Sequence, residues 1–183
     1  MTKTEPVRLV PFTEDHFETL AGWFPDARAL AQWGGTRLSF PLDAAQMRAM
    51  LALSSGERPE WLYFTAKQAD AVVGHCEILF DYFDGIARLC RIAVAPDCRG
   101  RGLARPMLTL LVEEALKDAS IARVELNVYD FNETAIRAYR ALGFKMEGIR
   151  RSSARFLNER WDTCMMSLLR SEWENRAKRD DTA

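Results

Sequence analysis

Arg91-Ile-Ala-Val-Ala-Pro-Asp-Cys-Arg-Gly-Arg-Gly-Leu-Ala-Arg105 is the stretch whose reading decides the fold. It starts as a buried strand, expected over Ile86 to Ala95, and Pro96 interrupts it. Arg99-Gly-Arg-Gly102 then makes a tight, cationic turn. A long helix is expected from about Gly102 to Asp118. Leu103, Met107, Leu108, Leu111, Val112, Ala115 and Leu116 recur along it at helical spacing. Pro106 falls in its first turn, where a missing N–H costs little. A strand that enters a helix through such a turn aims free backbone N–H groups outward at the positive end of the helix dipole. Phosphate binds at such places. The stretch therefore points to a phosphate-bearing ligand.

Working outward, Val7 to Phe12 reads as a strand, and Thr13 as the N-cap of a helix that Pro25 stops near Phe24. Residues 26–56 form a broken, helical excursion with Gly34-Gly35 as an elbow and Asp43 capping a helix through Leu53. Trp61 to Thr65, Val72 to Phe80 and Ile86 to Ala95 read as an antiparallel meander. Downstream, Ile121 to Val128 alternates, with Val124, Leu126 and Val128 on one face and Arg123, Glu125 and Asn127 on the other. Asn132 to Leu142 is a helix ended by Gly143, and Phe144 to Arg151 and Trp161 to Leu169 are the last strands. Strands first, then strands alternating with helices, then strands again predict an α+β domain over residues 5–170 with one central twisted sheet. The charge-rich segment 171–183 is expected to fray.

Bulk properties exclude several classes. The chain has 183 residues, enough for one domain with a real core. Its formal net charge of -1 and pI near 6.2 give no reason to expect nucleic-acid binding. No signal peptide and no run of about 18 apolar residues is apparent, so neither secretion nor membrane insertion is expected. Cys76, Cys90, Cys98 and Cys164 form no CxxC pair and read as free cytosolic thiols, with Cys98 the exposed one. With only His16 and His75 beside them, no metal site is expected.

Which phosphate ligand is meant depends on the spacing in the turn. A dinucleotide fingerprint needs a third glycine where Arg105 stands, and there is no G-K-[ST] for a triphosphate loop. What remains is R-x-x-G-x-A, carried by Arg99, Gly102 and Ala104. That pattern resembles the coenzyme A pyrophosphate loop of the GNAT acetyltransferases. Asn127-Val-Tyr-Asp-Phe-Asn132, Ala135-Ile-Arg-Ala-Tyr139, Leu142-Gly-Phe144 and Glu147-Gly-Ile-Arg150 resemble the second half of that family's cofactor site. Gly74-His-Cys-Glu77, Trp161-Asp162 and Met165-Met166 resemble the branch containing ribosomal-protein N-terminal and polyamine acetyltransferases. The resemblance covers roughly residues 5 to 170. It implies a GNAT-like fold: a mostly antiparallel mixed sheet of about seven strands flanked by about four helices.

The resemblance also implies acetyl transfer from acetyl-CoA, the cosubstrate, to a primary amine by direct attack. The backbone of Ile92, Ala93 and Val94 would hold the pantetheine arm and polarise the thioester carbonyl. N–H groups from Arg99 through Gly100, Arg101, Gly102 and Leu103 to Ala104 would hold the pyrophosphate. Arg99, Arg101 and Arg105 would add charge, although Arg101 and Arg105 read equally well as a solvated helix start. Tyr139 matches the family tyrosine that acts as general acid at the CoA sulfur, with a core tyrosine as the alternative. Asn132 would cap its helix and touch the cofactor arm, and Asn127 would line the gap beside the splayed strand. Glu77 is a candidate base, weighed evenly against an edge-strand charge facing solvent. Trp33 and Phe40 are candidate walls of the acceptor pocket, or ordinary core residues. The acceptor could be a protein N-terminus, a polyamine, an amino acid or an aminoglycoside. A strongly acidic pocket would favour a polycation, and Glu14, Asp15, Glu18, Asp81 and Asp84 are the carboxylates on offer. A non-catalytic acyl-CoA sensor would keep the turn without needing Tyr139. A homodimer is compatible with the sequence.

Overall fold

Period-two alternation of apolar and polar residues builds the sheet. A computed structural model describes residues 5–180. Its strands are β1 (Val7–Pro11), β2 (Trp61–Gln68), β3 (Ala71–Asp81), β4 (Ile86–Val94), β5 (Arg123–Tyr129), β6 (Lys145–Phe156) and β7 (Glu159–Leu169). They form one seven-stranded sheet in the order β1-β2-β3-β4-β5-β7-β6. Every neighbouring pair is antiparallel except β4 and β5. A parallel pair needs a crossover, and α4 (Ala104–Ala115) supplies it. The stretch from Arg91 to Arg105 is the first half of that crossover, which is why its reading fixes the topology.

The two sheet faces carry different loads. Cys76, Ile78 and Phe80 of β3 join Leu89, Val124 and Leu126 in the larger core. There they meet Met107, Leu108, Leu111, Val112 and Ala115 of α4, all fully buried. Each large aliphatic side chain so buried contributes roughly 1.5–3 kcal/mol. Alternation turns His75 and Glu77 to the opposite face, where a second core gathers Phe12, Leu20, Leu30, Met47 and Tyr63. That core belongs to the excursion, which folds into α1 (Phe17–Ala21), α2 (Ala27–Gly34) and α3 (Ala44–Leu51). Asp26 and Asp43 cap α2 and α3, accepting from the N–H groups of Ala29 and Gln46 at 2.8 Å each.

Several boundaries differ from expectation. The helix expected from Thr13 to Phe24 is a 3-10 turn, Glu14–His16, followed by the short α1, because Gly22 closes it before Pro25 can. The long helix starts at Ala104 and not Gly102, whose φ of 76° lies outside the right-handed helical region. α5 spans Glu133–Leu142, and Gly143 ends it with φ 105°. Among the described residues six α-helices accompany the seven-stranded mixed sheet, in rough agreement with the about four expected. The segment expected to fray continues as α6 (Arg170–Asp180). Arg170 anchors it by donating to the carbonyls of Leu116, Asp118 and Ile121, in the segment that follows α4, at 3.0, 2.7 and 2.8 Å. Residues 181–183 lie outside the described residues. Among the described residues no helix is long and apolar enough to cross a membrane.

Candidate active site in the gap between two strands

β4 and β5 are paired only from Ile86↔Arg123 to Leu89↔Leu126. Beyond that point they part. The cause is local. The register between β3 and β4 slips between His75 and Glu77, and Arg91 takes a left-handed φ of 42°. Such a bulge bends its strand and releases it from one neighbour. A cavity of about 910 Å³ fills the gap at the carboxyl ends of the parallel pair. Open sheets place ligands at such divergence points.

One end of the cavity is made of backbone. Arg99, Gly100, Gly102, Leu103 and Ala104 line it. Gly100 and Gly102 have φ of 74° and 76°, and a Cβ on either would meet nothing within 4 Å. Glycine is needed here for the left-handed backbone, and the space above stays open for a ligand. The N–H groups of Gly100, Arg101, Gly102 and Leu103 have no acceptor among the described residues. These donors, the N-terminus of α4 and Arg99 suit a diphosphate. Arg99 is held by its Nε on the Val94 carbonyl at 3.4 Å. Arg101 is exposed and off the cavity wall, as is Arg105.

The middle is the unpaired edge of β4. Ile92, Ala93 and Val94 line it, facing Asn127 across the gap. Asn132 also lines it while capping α5, its side chain accepting from the Ala135 N–H at 3.3 Å. Tyr139 projects from α5 to the same wall, 8% exposed and with no hydrogen-bond partner among the described residues. Burial, with the Cys90 thiol beside it, holds its phenol well above the usual range, so it stays protonated. Burial and the charge of Glu77 push the Cys90 thiol up to about 12, which leaves it unreactive. Cys98, expected to be exposed, is half-buried, as is Cys90; Cys76 and Cys164 are buried, and all four are free.

The far end is made of side chains, and here expectation and structure diverge. Trp33 of α2 lines the cavity and donates its indole N–H to the Arg91 carbonyl at 2.7 Å. Phe40 is exposed and lines no part of it; it sits past the Gly34-Gly35 elbow, on the outside of the excursion. Glu77 is neither an edge-strand charge nor a wall residue: β3 is an internal strand and the carboxylate is fully buried. Its Oε1 meets His75 Nε2 at 3.0 Å and its Oε2 accepts from Arg91 Nη1 at 3.0 Å. With both oxygens engaged behind the wall, Glu77 is not placed to take a proton directly from an acceptor. It instead fixes Arg91, whose Nε also reaches the Gly34 carbonyl at 3.3 Å. Arg91 thus ties β3, the β4 bulge and the end of α2 together. The other end of α2 is tied by an ion pair of Arg28 with Glu159 in β7, and by Arg28 lying over the rings of Phe156 and Trp161. The helix so roofs the gap. Sequence reading missed Arg91, Trp23, Trp61 and Arg150 as wall residues. Arg91 carried a signal, as did Arg88 on the same strand: charged residues in an otherwise apolar run.

A backbone phosphate cradle, a split parallel pair and a buried tyrosine are now in one cavity. The model of the acetyltransferase (GNAT) family matches residues 27–144. The chain belongs to that family. As a GNAT N-acetyltransferase it is an acyltransferase. Among its relatives is the SPbeta prophage-derived uncharacterized N-acetyltransferase YokL of Bacillus subtilis, 26% identical over 145 residues, which are 75% of this chain and 77% of that one. The [ribosomal protein bS18]-alanine N-acetyltransferase of Escherichia coli is 38% identical over 82 residues, 45% of this chain and 55% of that enzyme. The chain therefore matches about half the length of the latter. Among solved structures, spermidine N-acetyltransferase of Vibrio cholerae in complex with CoA and spermine superposes with a TM-score of 0.78. It covers 92% of this chain and 98% of that one at 17% identity, which establishes the shared fold.

Proposed function

We propose that the chain moves the acetyl group of acetyl-CoA to a primary amine by direct attack. The observation that carries this reading is the split past Leu89↔Leu126, which joins the phosphate cradle, the free β4 edge and Tyr139 in one cavity. The turn from Arg99 to Ala104 holds the diphosphate. The β4 edge from Ile92 to Val94, with Asn127 and Asn132 opposite, holds the arm and polarises the carbonyl. The C–N bond forms as the C–S bond breaks. Tyr139 gives its proton to the departing sulfur and regains one from water, while the amine nitrogen loses its extra proton to water.

No carboxylate lines the cavity among the described residues, and four arginines do: Arg88, Arg91, Arg99 and Arg150. A wall that offers no carboxylate disfavours an ammonium, so the acceptor enters as the neutral amine that attack requires. Proximity then supplies much of the rate without a strong base. The related ribosomal-protein and spermidine enzymes named above support an amine acceptor of either kind. A non-catalytic acyl-CoA sensor is the second reading, and retention of Tyr139 at the wall argues against it.

Release of free thiol from acetyl-CoA, measured against a panel of amines and N-terminal peptides, tests the proposal. With an accepted amine, Tyr139→Phe should lower kcat about 100-fold with little change in acetyl-CoA affinity. An unchanged kcat would remove Tyr139 from its acid role, and no turnover of any amine despite acetyl-CoA binding would favour the sensor.

A further inference from the structure

We infer that the acceptor carries a carboxylate near its amine and an apolar body, and is not a polyamine. This rests on the acetyltransferase reading above and names the substrate class of the same site. The wall charges lead to it. Arg88 is neutralised by Glu125, to which it donates at 2.6 and 2.9 Å. Arg91 is neutralised by Glu77. Arg99 belongs to the phosphate end. Arg150 is left, with no ion-pair partner among the described residues. It lies on β6 opposite Thr163, which in turn lies opposite Tyr129 of β5. That register sets it at the end of β5, and it lines the same cavity as Trp33 of α2. Ser153 and Thr163, hydrogen-bonded to each other at 2.7 Å, are wall hydroxyls beside it.

An exposed guanidinium beside two hydroxyls is a fork for a carboxylate. The same cavity is also lined by Trp23, Phe24, Trp33 and Trp61, an aromatic surface that suits an apolar body. A polyamine would instead bring a second ammonium into a cavity that offers it no carboxylate. The acidic residues that might have served one lie elsewhere: Glu14 is paired with Arg48, and Glu14, Asp15, Glu18, Asp81 and Asp84 are all off the wall. Free apolar amino acids and peptides with an acidic second residue share the required chemistry.

The test compares kcat/KM for phenylalanine, phenylalanine amide, Phe-Asp and Phe-Asn dipeptide amides, and spermidine, in the wild type and in Arg150→Gln. The expected result is a carboxylate preference of about tenfold or more within one matched pair, with spermidine poorest. Preference in the first pair identifies a free amino acid, and in the second an acidic peptide. Arg150→Gln should abolish the preference, and Arg150→Glu should invert it. Spermidine used as well as the carboxylate amines would overturn the inference, as would a preference untouched by Arg150→Gln. If none of the five is turned over although acetyl-CoA binds, the inference falls. Failure to bind acetyl-CoA would instead overturn the acetyltransferase reading beneath it.

Discussion

The two ends of the cavity are built on different principles. The phosphate end is backbone: two left-handed glycines and a helix N-terminus within one short turn. The acceptor end is side chain: Arg91, Trp33, Glu77 and Arg150 arrive from four different elements and meet only in the fold. A backbone site is written locally and survives changes of neighbouring side chains. A side-chain site depends on the sheet register and on a buried charge being matched.

The largest expected effect breaks the acceptor end. Arg91→Ala leaves the fully buried Glu77 with His75 as its one partner. Loss of one member of a buried pair should cost about 3 kcal/mol, or a Tm fall of roughly 6–12 °C by scanning calorimetry. Adding Glu77→Gln should recover much of it, because the unmatched charge is gone. A Tm within about 2 °C of wild type would mean that Arg91 does not hold this end together.

The smallest expected effect concerns the outer ion pairs on the same sheet face. The Arg123 guanidinium and the Ser167 hydroxyl hold the Glu147 carboxyl at about 2, below its ordinary 4.5. Its folded-state pKa is depressed, so its contribution is complete above about 4.5 and is lost as pH falls towards 2. Glu147 is 41% exposed, so the contribution is small and salt-screened. Urea midpoints of wild type and Glu147→Gln should differ at neutral pH and converge on acidification. A constant difference across that range would mean that the pair contributes nothing through charge.

The same contrast explains what was legible in the sequence. Gly100, Gly102, Pro106 and the α4 stripe announce a turn and a helix because each acts within a few residues of itself. From them followed the strand–turn–helix, the phosphate cradle and, with Asn132 and Tyr139 at their spacing, the resemblance to the family. Phe40 and Glu77 were misplaced because their surroundings depend on contacts distant in sequence. Glu77 on an apolar strand looked like a catalytic base or an edge charge. Its partner Arg91 lies one strand away and turns towards it only through the bulge. Arg150 was legible only as the end of the Glu147-Gly-Ile-Arg150 motif; its place at the acceptor end comes from the pairing of β6 with β7 and of β7 with β5, which is distant in sequence.

The central claim is that the turn at Gly100 and Gly102 binds acetyl-CoA through its backbone. Calorimetric titration of the wild type and Gly102→Val tests it most directly. A β-branched residue at φ 76° is strained and fills the open space above the turn. The wild type should bind one acetyl-CoA per chain, and Gly102→Val, with its Tm largely kept, should bind about 100-fold more weakly. Wild-type protein that shows no heat at millimolar acetyl-CoA, or a valine variant that binds as tightly as wild type, would contradict it.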